Sequence, residues 1–115
     1  MSISIPGTPF TLQTTTLLPP TPIHVVTAVT YTFGLADAQA FVIFNSGSTQ
    51  TATIPLGFPV GAQITCVQLG AGQLVVNAAL GGALFPTASI ISLGQYALLG
   101  FIQFDLNQWI AFGRF

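Results

Sequence analysis

Ile23-His24-Val25-Val26-Thr27-Ala28-Val29-Thr30-Tyr31-Thr32-Phe33 alternates with period two. Ile23, Val25, Thr27, Val29, Tyr31 and Phe33 fall on one side of an extended chain, and Val26, Ala28, Thr30 and Thr32 on the other. Alternation rich in β-branched and aromatic residues marks a strand lying against a core. Downstream, turn residues cut the chain into further pieces of strand length. Gly34 to Gln39 read as a turn with room for one helical turn, and Ala40 to Phe44 as a second strand. Asn45-Ser46-Gly47-Ser48 is a hairpin signal, which makes Thr49 to Ile54 the return strand. Pro55 to Gly61 form a rigid connection before a strand over Ala62 to Leu69. Gly70-Ala71-Gly72 is a tight turn into Gln73 to Asn77. Further strands are expected over Ile90 to Leu93, Tyr96 to Phe104 and Gln108 to Phe112.

No segment keeps an i, i+3, i+4, i+7 apolar pattern over three turns without a glycine. Short strands with frequent turns predict an all-β domain, an antiparallel β-sandwich or small barrel of jelly-roll-like form. Residues 1–22 differ from the rest: they hold five of the eight prolines. Proline fixes φ, removes a donor and pushes the preceding residue to extended geometry. This predicts an extended anchoring arm over residues 1–22 and a β-domain over residues 23–115. Ile3, Ile5, Phe10, Leu12, Leu17 and Leu18 would gain nothing on a free tail, so the arm is expected to bind a neighbouring subunit or a shell.

Charge is almost missing from this chain of 115 residues. Asp37, Asp105 and Arg114 are its only charged side chains, 3% against roughly 25% in soluble domains. One arginine cannot neutralise a row of phosphates, so nucleic acid is not an expected partner. A monomer of this mass exposes about 6,000 Å², and three charges cannot keep such a surface soluble alone. A membrane is one remedy. Yet no run reaches the ~20 apolar residues of a spanning helix, the N-terminus lacks a basic leader, and a β-barrel needs at least about eight strands of roughly ten residues. No membrane insertion is expected. Burial against other chains is the other remedy. The 14 Thr, 9 Gln, 6 Ser and 3 Asn suit it, because they hydrogen-bond without the desolvation cost of charges. Several strands are also apolar or Thr/Gln-rich on both faces, as expected of a domain covered on more than one side.

Few residues could carry chemistry. His24 is the one histidine and starts a strand, with no acidic neighbour close in sequence. Cys66 is the one cysteine and lies in an apolar strand, where a buried, inert thiol is expected. A Cys66–His24 nucleophile pair would need contact that spacing does not provide. Asp37 and Asp105 fall in expected turns, where Asp caps the backbone. Arg114 is free to pair with either aspartate or with a neighbouring subunit. No metal-ligand spacing and no phosphate loop occurs, so no catalytic residue, metal or cofactor is expected and the chain does not read as an enzyme. Tyr96 and Trp109 are the two aromatics that could serve as a surface platform for a sugar or other ligand.

The punctuation forms a recognisable series. Tyr31-Thr32-Phe33-Gly34-Leu35-Ala36-Asp37-Ala38 is followed by Phe44-Asn45-Ser46 and by Ala52-Thr53-Ile54-Pro55. Phe58-Pro59-Val60-Gly61-Ala62-Gln63-Ile64, Gln68-Leu69-Gly70-Ala71-Gly72-Gln73, Gly94-Gln95-Tyr96-Ala97 and Asn107-Gln108-Trp109-Ile110-Ala111-Phe112-Gly113 complete it. In order and spacing this series resembles a β-domain of tailed-bacteriophage virion proteins, over about Tyr31 to Gly113. The resemblance implies a homotrimeric module of fibres, tails or capsid decorations. Such relatives usually carry charges after the Asp-Ala turn and near the closing strand; here Gln39 and Ala40 stand instead. The short chain and the apolar arm suit a capsid decoration or cement protein on the outer capsid surface. Its implied partners are further copies and the major capsid protein or another virion protein. The alternative is a head- or tail-fibre module that binds a host receptor or glycan.

Overall fold

Parity splits the first expected strand in two. In the computed structural model, which describes residues 20–115, β1 spans Ile23–Val26 and β2 spans Thr30–Thr32. Val26 points into the core from β1 and Tyr31 from β2. Those residues are an odd number apart, so one continuous strand could not turn both to the same side. The chain bends at residues 27–29 and crosses to a second sheet. Ile23 and Val25 therefore face outward while Tyr31 and Phe33 face inward, which corrects the single face expected for them.

The same crossing recurs. β3 (Phe41–Phe44) leads to β4 (Gln50–Ile54), and β5 (Gln63–Gln68) leads to β6 (Leu74–Ala78). Each pair contributes one strand to each of two sheets. β1, β3 and β5 pair in parallel in one sheet, and β2, β4 and β6 pair in parallel in the other. Three stacked coils of this kind form a β-solenoid-like arrangement. The third coil ends the parallel stack. β8 (Ser89–Ile91) runs antiparallel to β6, and β9 (Leu98–Asp105) antiparallel to β5. β10 (Gln108–Gly113) forms a hairpin with β9, and β7 (Ala83–Phe85) pairs in parallel with its outer edge. The result is a six-stranded sheet, β1-β3-β5-β9-β10-β7, opposite a four-stranded sheet, β2-β4-β6-β8.

The all-β class holds. The antiparallel, jelly-roll-like sandwich or small barrel does not, because the reversals after β1, β3 and β5 are arches between two sheets and not hairpins within one. Asn45-Ser46-Gly47-Ser48 carries the chain from one sheet to the other rather than back alongside β3. The arches stack. The amides of Asn45 and Leu69 donate to the carbonyls of Val26 (2.9 Å) and Phe44 (2.8 Å), and the Gly72 amide donates to Ser46 (2.8 Å). Gly70 and Gly72 are required here, because a Cβ on either would come within 3.0 Å of the Ser46 or Ser48 backbone. Gln50 and Gln68 fill the arches from inside. Gln50 Nε2 donates to the carbonyls of Val26 (3.0 Å) and Ala28 (2.9 Å), and Gln68 Oε1 accepts from the Ser92 hydroxyl.

Between the sheets, the inward residues of every strand make one core. Phe33 and Phe44 meet edge to face with centroids 5.9 Å apart, with Tyr31 against both. Phe58 and Trp109 form a second edge-to-face pair at 5.5 Å. Burying each such ring contributes about 1.5–3 kcal/mol. Gln103 ties the Pro55–Gly61 connection to this end, donating through Nε2 to the Phe58 carbonyl at 2.7 Å and accepting from the Asn107 amide at 3.1 Å.

Candidate functional site

Outside the core, the two sheets present opposite chemistry. On the four-stranded sheet, Thr30, Thr51, Val75 and Ile91 form one outward row, and Thr32, Thr53, Asn77 and Ser89 the next. This face is polar and uncharged, with threonine at four of eight positions. On the six-stranded sheet, Ile23, Phe41, Thr65, Gly100 and Phe112 lie in register, followed by Val25, Ile43, Val67 and Leu98. A third row holds Gln63, Ile102, Ile110 and Phe85, with the Phe104 ring 5.9 Å from that of Phe85. Phe112 lies across Gly100, where a Cβ would collide with its ring. An aromatic over a glycine fills the gap that the missing side chain leaves in the sheet face. No charged residue stands in these rows. An open groove of about 480 Å³ lined by Thr21, Ile23, Gln39, Ala40, Phe41, Gln63 and Thr65 extends this face at one end.

A second cluster closes the first coil. The carboxylate of Asp37 is 1% exposed. It accepts from the Tyr31 hydroxyl at 2.7 Å and the Gly34 amide at 2.8 Å, and its other oxygen lies 2.6 Å from His24 Nδ1. This is the only ion-pair contact among the described residues. Burial pushes the Asp37 pKa up, but the hydrogen bonds from Tyr31, Gly34 and His24 and the His24 charge outweigh it, leaving the pKa below the ordinary aspartate value. Burial, with the aspartate's hydrogen bond and charge, pushes the Tyr31 phenol up to about 12. The cluster joins β1, β2 and the 3-10 turn at Leu35–Asp37. It can therefore lock the first coil. It holds no nucleophile: Cys66 is in the same inward row as His24 but two strands away, with Val42 between them. At strand spacing that is roughly 10 Å. Burial raises the Cys66 thiol to about 12 and leaves it inert, as expected.

The remaining candidates separate. Trp109 is 1% exposed and packs on Phe58, so it is a core residue and not part of a surface platform. Its position alternates inward because Gln108 and Ile110 face out. Tyr96 is 67% exposed and has a φ of 69°. It lines an open cleft of about 400 Å³ with Gln95 and Arg114. Asp105 caps its turn through the Leu106 amide at 2.8 Å, as expected, while the Asp37 carboxylate bonds to His24, Tyr31 and Gly34. Among the described residues Arg114 pairs with neither aspartate; its backbone is bonded to Leu93 and Leu98. No group of three metal-ligating side chains occurs among the described residues. The arm residues Ile3, Ile5, Phe10, Leu12, Leu17 and Leu18 lie outside the described residues.

Sequence reading missed two features. The apolar outer face was signalled by strands apolar on both sides, but assigning those residues to one surface required the strand order. The His24–Asp37 contact spans 13 positions and depends on the first arch. In comparisons with known proteins, no family model and no curated protein matches this chain.

Proposed function

We propose that this chain is a structural subunit of a tailed-phage virion: a capsid decoration or cement protein that binds the assembled head as a homotrimer and stabilises it. One observation carries the reading. The folded surface has almost no charge and leaves large apolar side chains such as Leu80, Leu98, Phe104 and Leu106 in water. A surface of this kind functions when covered by other protein. The motif series from Tyr31 to Gly113 supplies the virion context. Burial in a symmetric assembly multiplies many weak contacts, and the work done is mechanical: bridging neighbouring capsid subunits against internal pressure. The arm over residues 1–22 supplies attachment by adding extended segments to exposed strand edges.

A second reading is favoured by the cleft at Tyr96. An exposed aromatic beside Gln95 and the lone cation Arg114 suits a glycan or receptor contact of a fibre module.

The test is attachment of the purified full chain to emptied phage heads by co-sedimentation, together with its native mass. A particle of three times 12.0 kDa that pellets with heads supports the proposal. A trimer that ignores heads but binds host cells favours the fibre reading. A 12.0-kDa monomer that binds neither overturns both. Removal of residues 1–18 is expected to abolish head binding while leaving the trimer intact; full head occupancy by the shortened chain would refute the role of the arm.

A further inference from the structure

The two outer faces invite different neighbours. The face of the four-stranded sheet is set with threonine hydroxyls that water can satisfy. The face of the six-stranded sheet is not. Ile23, Val25, Leu98, Phe104, Ile110 and Phe112 are each between about two-fifths and three-fifths exposed on it. With Phe85, these exposed fractions amount to roughly 700 Å², taking about 200 Å² for a large apolar side chain. The half-buried Phe41, Ile43 and Ile102 add to that. The largest apolar patch of an ordinary monomer is about 300–600 Å², and a stable specific interface buries about 800 Å² on each partner. The face thus exceeds what a monomer leaves in water and matches one side of a standard interface.

We infer that this face, and not the threonine face, is where copies of the chain meet. The occupant is a second copy. The rows carry no charge that would select an oppositely charged partner, and about a threefold axis one half of this flat apolar face can pack against the other half of a neighbour's. Phe112 over Gly100 keeps the centre of the face filled, so neighbouring copies can pack on it without a void. The threonine face then points away from the subunit contact and stays hydrated. This inference deepens the proposed oligomeric role and rests on it.

Matched double substitutions on the full chain test the assignment. Leu98→Asp with Ile110→Asp places two charges on the six-stranded face, and Thr30→Asp with Ile91→Asp places two on the other. All four positions are surface positions, so each variant is expected to keep the β-sheet circular-dichroism spectrum. By native mass spectrometry and sedimentation, the first variant should fall to a 12.0-kDa monomer, an association weakened roughly 100-fold or more. The second should keep the wild-type mass. Cross-linking guards against misfolding of the first variant. Ile110→Cys should give covalent oligomers with a short bis-maleimide, and Thr32→Cys should not. If the wild type assembles but only the threonine-face variant dissociates, or only Thr32→Cys cross-links, the face assignment is wrong and the oligomeric reading stands. A wild type that is monomeric at every concentration overturns both.

Discussion

Replacing Gly72 by alanine should be far more damaging than replacing Gly47, although both are turn glycines. A Cβ at residue 72 would lie within 3.0 Å of the Ser48 backbone, on an arch that cannot retreat without losing its ladder. Relieving the overlap separates the two arches. It weakens the Gly72-to-Ser46 and Gln50-to-Gln73 bonds, both 2.8 Å. Overpacking costs about 1–3 kcal/mol, and each lost hydrogen bond about 1 kcal/mol. Together these predict roughly 3–5 kcal/mol, or a fall in Tm of about 12–40 °C for a domain of this size. At Gly47 a Cβ meets nothing within 4 Å and φ is not positive. Alanine there should be neutral or stabilise by up to about 1 kcal/mol by restricting the unfolded chain. Thermal unfolding followed by circular dichroism, with urea titration for the free energies, reads both. If Gly72→Ala melts within a few degrees of Gly47→Ala, the arches do not stack and the solenoid pairing is wrong.

Other expectations follow from the first coil and the core. The depressed Asp37 pKa contributes stability that is full above the ordinary aspartate value and is lost as pH falls through the lower folded value. Urea midpoints should therefore drop below about pH 4, and Asp37→Asn should be less stable at neutral pH with a flatter acid limb; an unchanged limb would refute the pairing. Tyr31 and Cys66, both raised to about 12, act in the opposite direction. Their contribution is complete below their ordinary values and is lost as pH rises towards 12, so alkaline unfolding should set in within that window and soften in Tyr31→Phe. Cys66 should resist a thiol reagent in the native protein and react at the rate of global unfolding; rapid labelling would mean that β5 is accessible.

The positions of the strands were legible because glycine, proline and asparagine restrict the backbone wherever they occur. Gln63–Gln68 and Gln108–Gly113 fall within about a residue of the pieces read between turns. Connectivity was less legible. Asn45-Ser46-Gly47-Ser48 suits a hairpin and an arch equally, since both need a tight reversal of direction. The clue lay in the parity of Val26 and Tyr31 and in glycines at 70 and 72, which a hairpin alone does not require. Trp109 was a surface candidate as one of two aromatics suited to a ligand platform, and only the outward placement of Gln108, Ile110 and Phe112 along β10 turns it inward. The inert Cys66 and the capping role of Asp105 followed from their neighbours in sequence. Asp37 was recognised as a cap, but its bonds to His24 and Tyr31 needed the arch to be placed.

Side-chain footprinting of the wild-type protein in solution tests the central claim most directly. A photoactivated carbene labels exposed apolar side chains, and peptide mass spectrometry locates the label. Burial of the six-stranded face in the assembly predicts strong protection at Leu98, Phe104, Ile110 and Phe112, with Ile91 and Leu80 labelled freely. Equal labelling of Phe112 and Ile91 at concentrations where the protein is fully assembled would contradict it.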